Sequence, residues 1–157
     1  RRVRLAMNLA LVRHAPAEAG DDDFSRPLSR KGRRRFREVV DGLEELGLHF
    51  ERVLHSPKLR ALETAELLSP LADQLEVTAL LAEAPSPALL EALTGDTVAL
   101  VGHEPWLSRL LAWLTVGDAA LGPHFALRKG GVALLEGTPV PKGMRLAALL
   151  PPRVLRE

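Results

Sequence analysis

The chain has 157 residues, 46% of them hydrophobic, a formal net charge of +1 and no cysteine. This length and composition suit one folded domain over 1–157, and the near-neutral balance selects neither nucleic acid nor a membrane surface as partner. The lack of cysteine excludes disulfide and thiolate chemistry and makes a cytoplasmic location the simplest expectation, and no apolar run approaches the roughly 18 residues of a membrane span.

In chain order, Arg1-Arg2-Val3-Arg4 reads as a basic leader, with residues 1–6 an upstream extension ahead of a start at Met7. Residues 8–14 form an apolar strand that stops on Arg13 and His14. An acidic loop through Glu18, Asp21, Asp22 and Asp23 follows, then Arg26-Pro27-Leu28-Ser29. Ser29 is a good N-cap for a helix over 30–46, with Phe36, Val39, Val40, Leu43 and Leu46 at helical spacing and Gly47 beyond its end. Phe50 to His55 form a second strand, and Ser56-Pro57 opens a second helix whose buried stripe is Leu59, Leu62, Ala65 and Leu68. A third strand is predicted over Glu76–Leu80 and a short helix from Ser86-Pro87 to about Leu93. Thr97–Val101 is apolar on both faces, as a central strand should be, and Gly102-His103-Glu104-Pro105 turns it into a helix facing inward with Trp106, Leu107, Leu110, Leu111 and Leu114. Val132–Leu135 and Arg145–Leu150 have no helix between them and are predicted as an antiparallel pair at a sheet edge. The alternation predicts an α/β fold: a three-layer α/β/α sandwich with a mostly parallel central sheet.

Three strands therefore end on cationic or imidazole groups: Arg13-His14, His55-Ser56 with Arg60 one turn on, and Gly102-His103. In a parallel sheet such ends lie side by side, and the helix N-termini that follow add backbone N–H groups. The ligand implied is an oxyanion, most naturally phosphate. His14, His49, His55, His103 and His124 show no metal-binding spacing, so neither a metal nor any other cofactor is expected.

Leu11-Val12-Arg13-His14-Ala15 resembles the Arg-His-Gly signature of the histidine phosphatase superfamily, to which phosphoglycerate mutase also belongs. The segment Ser56 to Ala65 is similar to the family's second motif, and Val101-Gly102-His103-Glu104-Pro105 resembles its third. Arg26-Pro27-Leu28-Ser29 is similar to a segment of the compact SixA-type phosphohistidine phosphatases. Ala15 departs from the family's glycine, and the long insertions of larger members are missing. The resemblance implies a phosphoglycerate mutase-like fold and a metal-independent phosphatase forming a covalent phosphohistidine at His14. It implies that Arg13, Arg60 and His103 hold the phosphoryl oxygens, with Arg26 a further contact. It also places a carboxylate acid or base at Glu83, with Glu18 and Glu104 competing. The expected partner is a phosphorylated protein bearing phosphohistidine, as in signal transduction. The alternatives are a small phosphorylated metabolite or a phosphate-binding module without turnover. The basic run Arg30, Lys31, Arg33, Arg34, Arg35 and Arg37 lies opposite an apolar helix face and is read as a solvated face that could steer an acidic partner, with no nucleic acid expected.

Overall fold

A computed structural model describes residues 6–156; apart from Ala6, the basic leader lies outside the described residues. In chain order the elements are β1 (Met7–Arg13), α1 (Arg30–Glu45), β2 (Phe50–His55), α2 (Leu59–Leu67), β3 (Ala72–Val77), α3 (Pro87–Ala92), β4 (Thr97–Gly102), α4 (Trp106–Val116), β5 (Val132–Gly137), β6 (Met144–Leu150) and α5 (Pro152–Leu155), with short 3-10 turns at Asp23–Ser25, Ser69–Leu71, Ala79–Ala82 and Ala119–Phe125. The six strands form one sheet in the order β3-β2-β4-β1-β5-β6. The first four are parallel, and β5 and β6 run antiparallel at the edge.

Alternation along the central strands makes two cores. Leu9 and Leu11 of β1 and Val98 and Leu100 of β4 point to one face, where Leu89, Leu107, Leu110, Leu111 and Leu114 cover them. Ala10, Val12, Ala99 and Val101 point to the other, against Phe36, Val39 and Leu43 of α1 and Ala61 and Ala65 of α2. Residues 9–12 of β1 and 98–101 of β4 are therefore apolar without alternation, because neither stretch has a solvent side.

Helix α1 starts where Ser29 Oγ accepts the Gly32 N–H at 2.9 Å. Gly32 lies so near the loop after β1 that a Cβ there would stand 2.2 Å from the Pro16 carbonyl oxygen.

Three expectations shift. The third strand lies at 72–77, not 76–80, because parallel pairing from Phe50↔Ala72 to His55↔Val77 fixes its register at a sheet edge that tolerates polar residues. The apolar residues after it turn instead, with Thr78 Oγ1 accepting the Leu80 N–H and Leu81 entering the core. Helix α2 begins at Leu59 with Lys58 as N-cap, so Pro57 precedes it rather than opening it. Its buried face is Arg60, Ala61, Thr64 and Ala65; Leu59 and Leu62 are only half-buried. Helix α4 likewise starts at Trp106, after Glu104, and Trp106 itself is half-buried with Arg109 over its ring.

Gly32→Ala should push α1 away from Pro16 and cost about 1–3 kcal/mol, as overpacking against backbone does. Urea unfolding at pH 7 checks this; an unchanged midpoint would show that the close approach carries no constraint.

Candidate active site

The sheet order places β4 between β1 and β2, and both ladders run one residue past the strands. His14 N–H donates to the Gly102 carbonyl at 3.1 Å, and Ser56 N–H donates to the Val101 carbonyl at 3.1 Å. His14, Ser56 and His103 thus sit at three adjacent carboxyl ends, the ligand-binding edge of an open α/β sheet.

His14 is 6% exposed and His103 5%, with ring centroids 5.2 Å apart. The His14 Nδ1–H donates to the Ala15 carbonyl at 2.7 Å, which leaves Nε2 as the ring nitrogen with a free lone pair. The backbone around it is clamped twice. Ala15 N–H donates to Thr64 Oγ1 at 3.0 Å, and Gly130 N–H is shared between the carbonyls of Arg13 and His14 at 3.0 Å each. Gly130 reaches both with φ near 77°, a conformation that suits glycine. Ala15 has its side chain in the core and its amide on Thr64, so the methyl group that replaces the family's glycine hydrogen points away from the site.

Arg60, 6% exposed, points inward from the first turn of α2. One Nη donates to the Asp23 carbonyl at 2.6 Å, and the other lies 3.2 Å from the Asp23 carboxylate. Lys58 Nζ donates to that carboxylate at 2.8 Å and stands over the Phe24 ring. Arg13 donates to the Leu127 carbonyl at 2.8 Å. Among the described residues, the buried side-chain nitrogens and oxygens without a partner are Arg13 Nε, Arg60 Nε, His103 Nδ1 and Arg156 Nε. Three of the four belong to this cluster. Buried donors are normally paired, and an oxyanion is a group that unpaired guanidinium N–H donors suit.

The two imidazoles are held neutral. His14 is lowered to about 4, first by burial and then by the charges of Arg60, Arg13 and Lys129, against the opposing bond to Ala15. Burial, His14, Arg60 and Lys58 lower His103 to about 3. Burial also lowers Arg13, with Glu104 opposing. Asp23 is held well below the usual carboxylate range, first by its bond to Lys58 and then by the charge of Arg60.

The remaining residues named from sequence lie around this cluster rather than in it. Arg26 donates Nε to the Glu18 carbonyl at 2.8 Å and an Nη to Asp23 at 3.3 Å, which ties together the loop carrying Asp23. Both oxygens of Glu104 accept backbone N–H groups, from Ser108 and Leu127, each at 2.8 Å. Glu104 is thus a brace for the start of α4. Glu83 follows the Ala79–Ala82 turn with its side chain exposed and unbonded to the cluster, and the Glu18 side chain is exposed too. Sequence reading missed Asp23 and Thr64. Thr64 stands one helical turn after Arg60 inside the second motif, a signal that could have been read; nothing local marks Asp23 out from Asp21 and Asp22. Among the described residues, no three His, Asp or Glu side chains are grouped to hold a metal ion.

Residues 9–85 match the model of the histidine phosphatase superfamily, branch 1. The chain is 36% identical over 138 residues to an uncharacterized protein of Picosynechococcus sp., covering 80% of this chain and 82% of that one. It belongs to the histidine phosphatase superfamily. Within it the chain is SixA-like: the structure of the protein histidine phosphatase SixA complexed with tungstate superposes with a TM-score of 0.82 at 26% identity, over 95% of this chain and 99% of that one. A putative alpha-ribazole-5'-P phosphatase from Escherichia coli shares the fold, with a TM-score of 0.76 at 20% identity over 93% and 97% of the two chains. The phosphoglycerate mutase-like α/β fold expected from sequence is the one observed, and family and neighbours together support a phosphatase hydrolase. No helix among the described residues is long and apolar enough to cross a membrane.

The His14 imidazole should titrate near pH 4 instead of 6.5, and Arg60→Gln should move it upward. Since the folded value lies below the unfolded one, the stability tied to neutral His14 is fully present above 6.5 and lost as pH falls through about 4. NMR of the ring resonances reads this directly; a midpoint at or above 6.5 would contradict the packing described.

Proposed function

We propose that the chain is a metal-independent phosphatase acting through a covalent phosphohistidine at His14, and that its substrate is phosphohistidine on a protein. What carries the mechanism is the His14 Nε2 lone pair, kept unprotonated by burial and fixed by the Nδ1–H bond to Ala15, beside two guanidinium groups with buried unpaired Nε–H donors. Nε2 attacks phosphorus while the bond to the leaving group breaks; water then attacks phosphorus, the Nε2–P bond breaks, and phosphate leaves. Arg13 and Arg60 hold the equatorial oxygens as charge spreads over them. Ser56 Oγ accepts the Lys58 N–H at 3.2 Å and donates its own proton to His103 Nε2 at 2.7 Å, which puts the ring proton of His103 on Nδ1 as a further donor to phosphate.

The substrate follows from the leaving group. Breaking a P–O bond to an alkoxide needs a proton delivered by a positioned acid. Glu104 is engaged through both oxygens, and Glu83 and Glu18 stand exposed with no bond to the cluster. A phosphorylated imidazole departs as neutral imidazole once its own ring is protonated, so it makes the least demand on the site. The SixA likeness supports the same substrate, and a role in signal transduction inside the cytoplasm fits it. The second reading is a small phosphomonoester, favoured by the E. coli neighbour's fold, with Glu83 supplying the proton. On either reading Arg26 acts through the loop it ties, placing Asp23 beside Arg60.

His14→Ala should lower turnover of p-nitrophenyl phosphate and of a phosphohistidine peptide by on the order of 10⁴-fold or more. Acid-quenched natural enzyme should carry an acid-labile, alkali-stable phosphoryl group that the variant lacks. Glu83→Gln should leave the phosphohistidine peptide rate within about twofold while slowing alkyl phosphates, the pattern expected when only the poor leaving group needs an acid. A strong preference for a metabolite phosphate over the peptide would replace the proposed substrate and keep the mechanism.

Asp23→Asn removes a carboxylate that competes with phosphate for Arg60 but keeps the backbone carbonyl that holds Arg60 in place. Because Asp23 is 54% exposed, the gain is modest: inorganic phosphate should inhibit up to about fivefold more tightly, within the roughly 1 kcal/mol of an exposed ion pair. Weaker inhibition would show that the carboxylate positions Arg60 instead of competing for it.

A further inference from the structure

A cavity of about 350 Å³ between α1, α5 and the loop before β5 is lined by Arg35, Arg128, Arg153, Arg156 and two prolines. It shares Arg35, Pro152 and Arg156 with a smaller cavity of about 70 Å³, whose other walls include Ala15, Pro16, Lys129 and Gly130. The groove therefore begins at the residues that follow His14. Its position is fixed by the backbone, because Gly130 donates to the carbonyls of Arg13 and His14 and Gly131 donates to the Arg128 carbonyl at 2.7 Å. Lys129 already reaches the site electrostatically, as one of the charges that lower His14.

Among the described residues, no acidic side chain lines either cavity, and Arg35, Arg128 and Arg153 are exposed and without an ion pair. The formal net charge is only +1, so concentrating these cations on one face leaves the remainder of the chain net negative. Like charges gathered without internal counter-ions raise the potential of a groove, and they draw in an anionic partner. All four charged walls of the larger cavity are arginine, whose planar fork matches carboxylates in pairs. The larger cavity has no aromatic residue in its lining, and Phe36 in the smaller one is buried, so no exposed ring offers a nucleic-acid base a stacking face.

We propose that this arginine-lined groove docks an acidic segment of a phosphorylated protein, seating its carboxylates beside the phosphoryl group that His14 receives. The proposal rests on the protein-phosphohistidine reading above and adds the surface that selects among such proteins. Arg35, from the basic run of α1, belongs to this surface, so that run is more than a solvated face.

The test uses two phosphohistidine peptides of one core sequence, flanked either by aspartates and glutamates or by serines, with p-nitrophenyl phosphate as a third substrate. Each is assayed with the natural chain and with R128E/R153E, both positions being exposed and outside the reacting cluster. The natural chain should favour the acidic peptide by about tenfold in kcat/KM at low salt, and the preference should shrink as ionic strength rises. The double variant should abolish the preference while the other two substrates react at unchanged rates, and R128K/R153K should retain it. Equal kcat/KM for the two peptides with the natural chain overturns the docking surface, as does a double variant that slows all three substrates alike. Turnover of p-nitrophenyl phosphate with neither peptide accepted would instead remove the protein-phosphohistidine reading beneath it. Salt-sensitive capture of a DNA duplex, lost in R128E/R153E and accompanied by no peptide preference, would reassign the groove to nucleic acid.

Discussion

The central position of β4 is the constraint from which the site follows. Because β1 and β2 both pair with it in parallel, the backbone bonds from His14 to Gly102 and from Ser56 to Val101 hold three chain segments, distant in sequence, at one edge. Had β4 lain at an edge of the sheet it would have had one neighbour, and either His14 or Ser56 would have been parted from His103. The apolar burial of β4 on both faces is thus what fixes the chemistry at its end.

That edge carries an electrostatic cost. Arg60 and the two imidazoles sit buried within one small region with Arg13 half-buried beside them, and burial disfavours positive charge there. The imidazoles answer by staying neutral, which leaves Nε2 of His14 with its lone pair free at neutral pH. The arginines cannot, and two carboxylates offset them: Glu104 near Arg13 from behind, and Asp23 on Arg60 from the solvent side. The first is locked by two backbone N–H groups, whereas the second hangs on an exposed loop.

The fold and the gathering of cationic and imidazole groups at the strand ends were legible because they rest on local patterns. Apolar runs of strand length, a serine cap, glycine stops and polar residues at strand ends each follow from near neighbours in the chain. The third strand was misplaced for the converse reason: Ala72–Val77 pairs with β2 at an edge where its polar residues do no harm, and the more apolar stretch just beyond it turns inward instead. The stripe on α2 was half right: Ala65 and Leu68 are buried as expected, but close packing on the sheet chose Ala61 and Thr64 over Leu59 and Leu62.

By itself, the sequence determined which residue types end the strands, and hence that His14, Arg13, Arg60 and His103 were the groups to watch. Only the tertiary structure decided which lone pair on His14 is free, that Asp23 out of three consecutive aspartates reaches Arg60, and that Glu104 braces a helix. It alone gathered Arg35, Arg128, Arg153 and Arg156, drawn from three separate segments, around one groove. The physical reason is range: strand and helix signals are written within a few residues, whereas hydrogen-bond partners, burial and summed fields depend on groups that only the packed chain brings together.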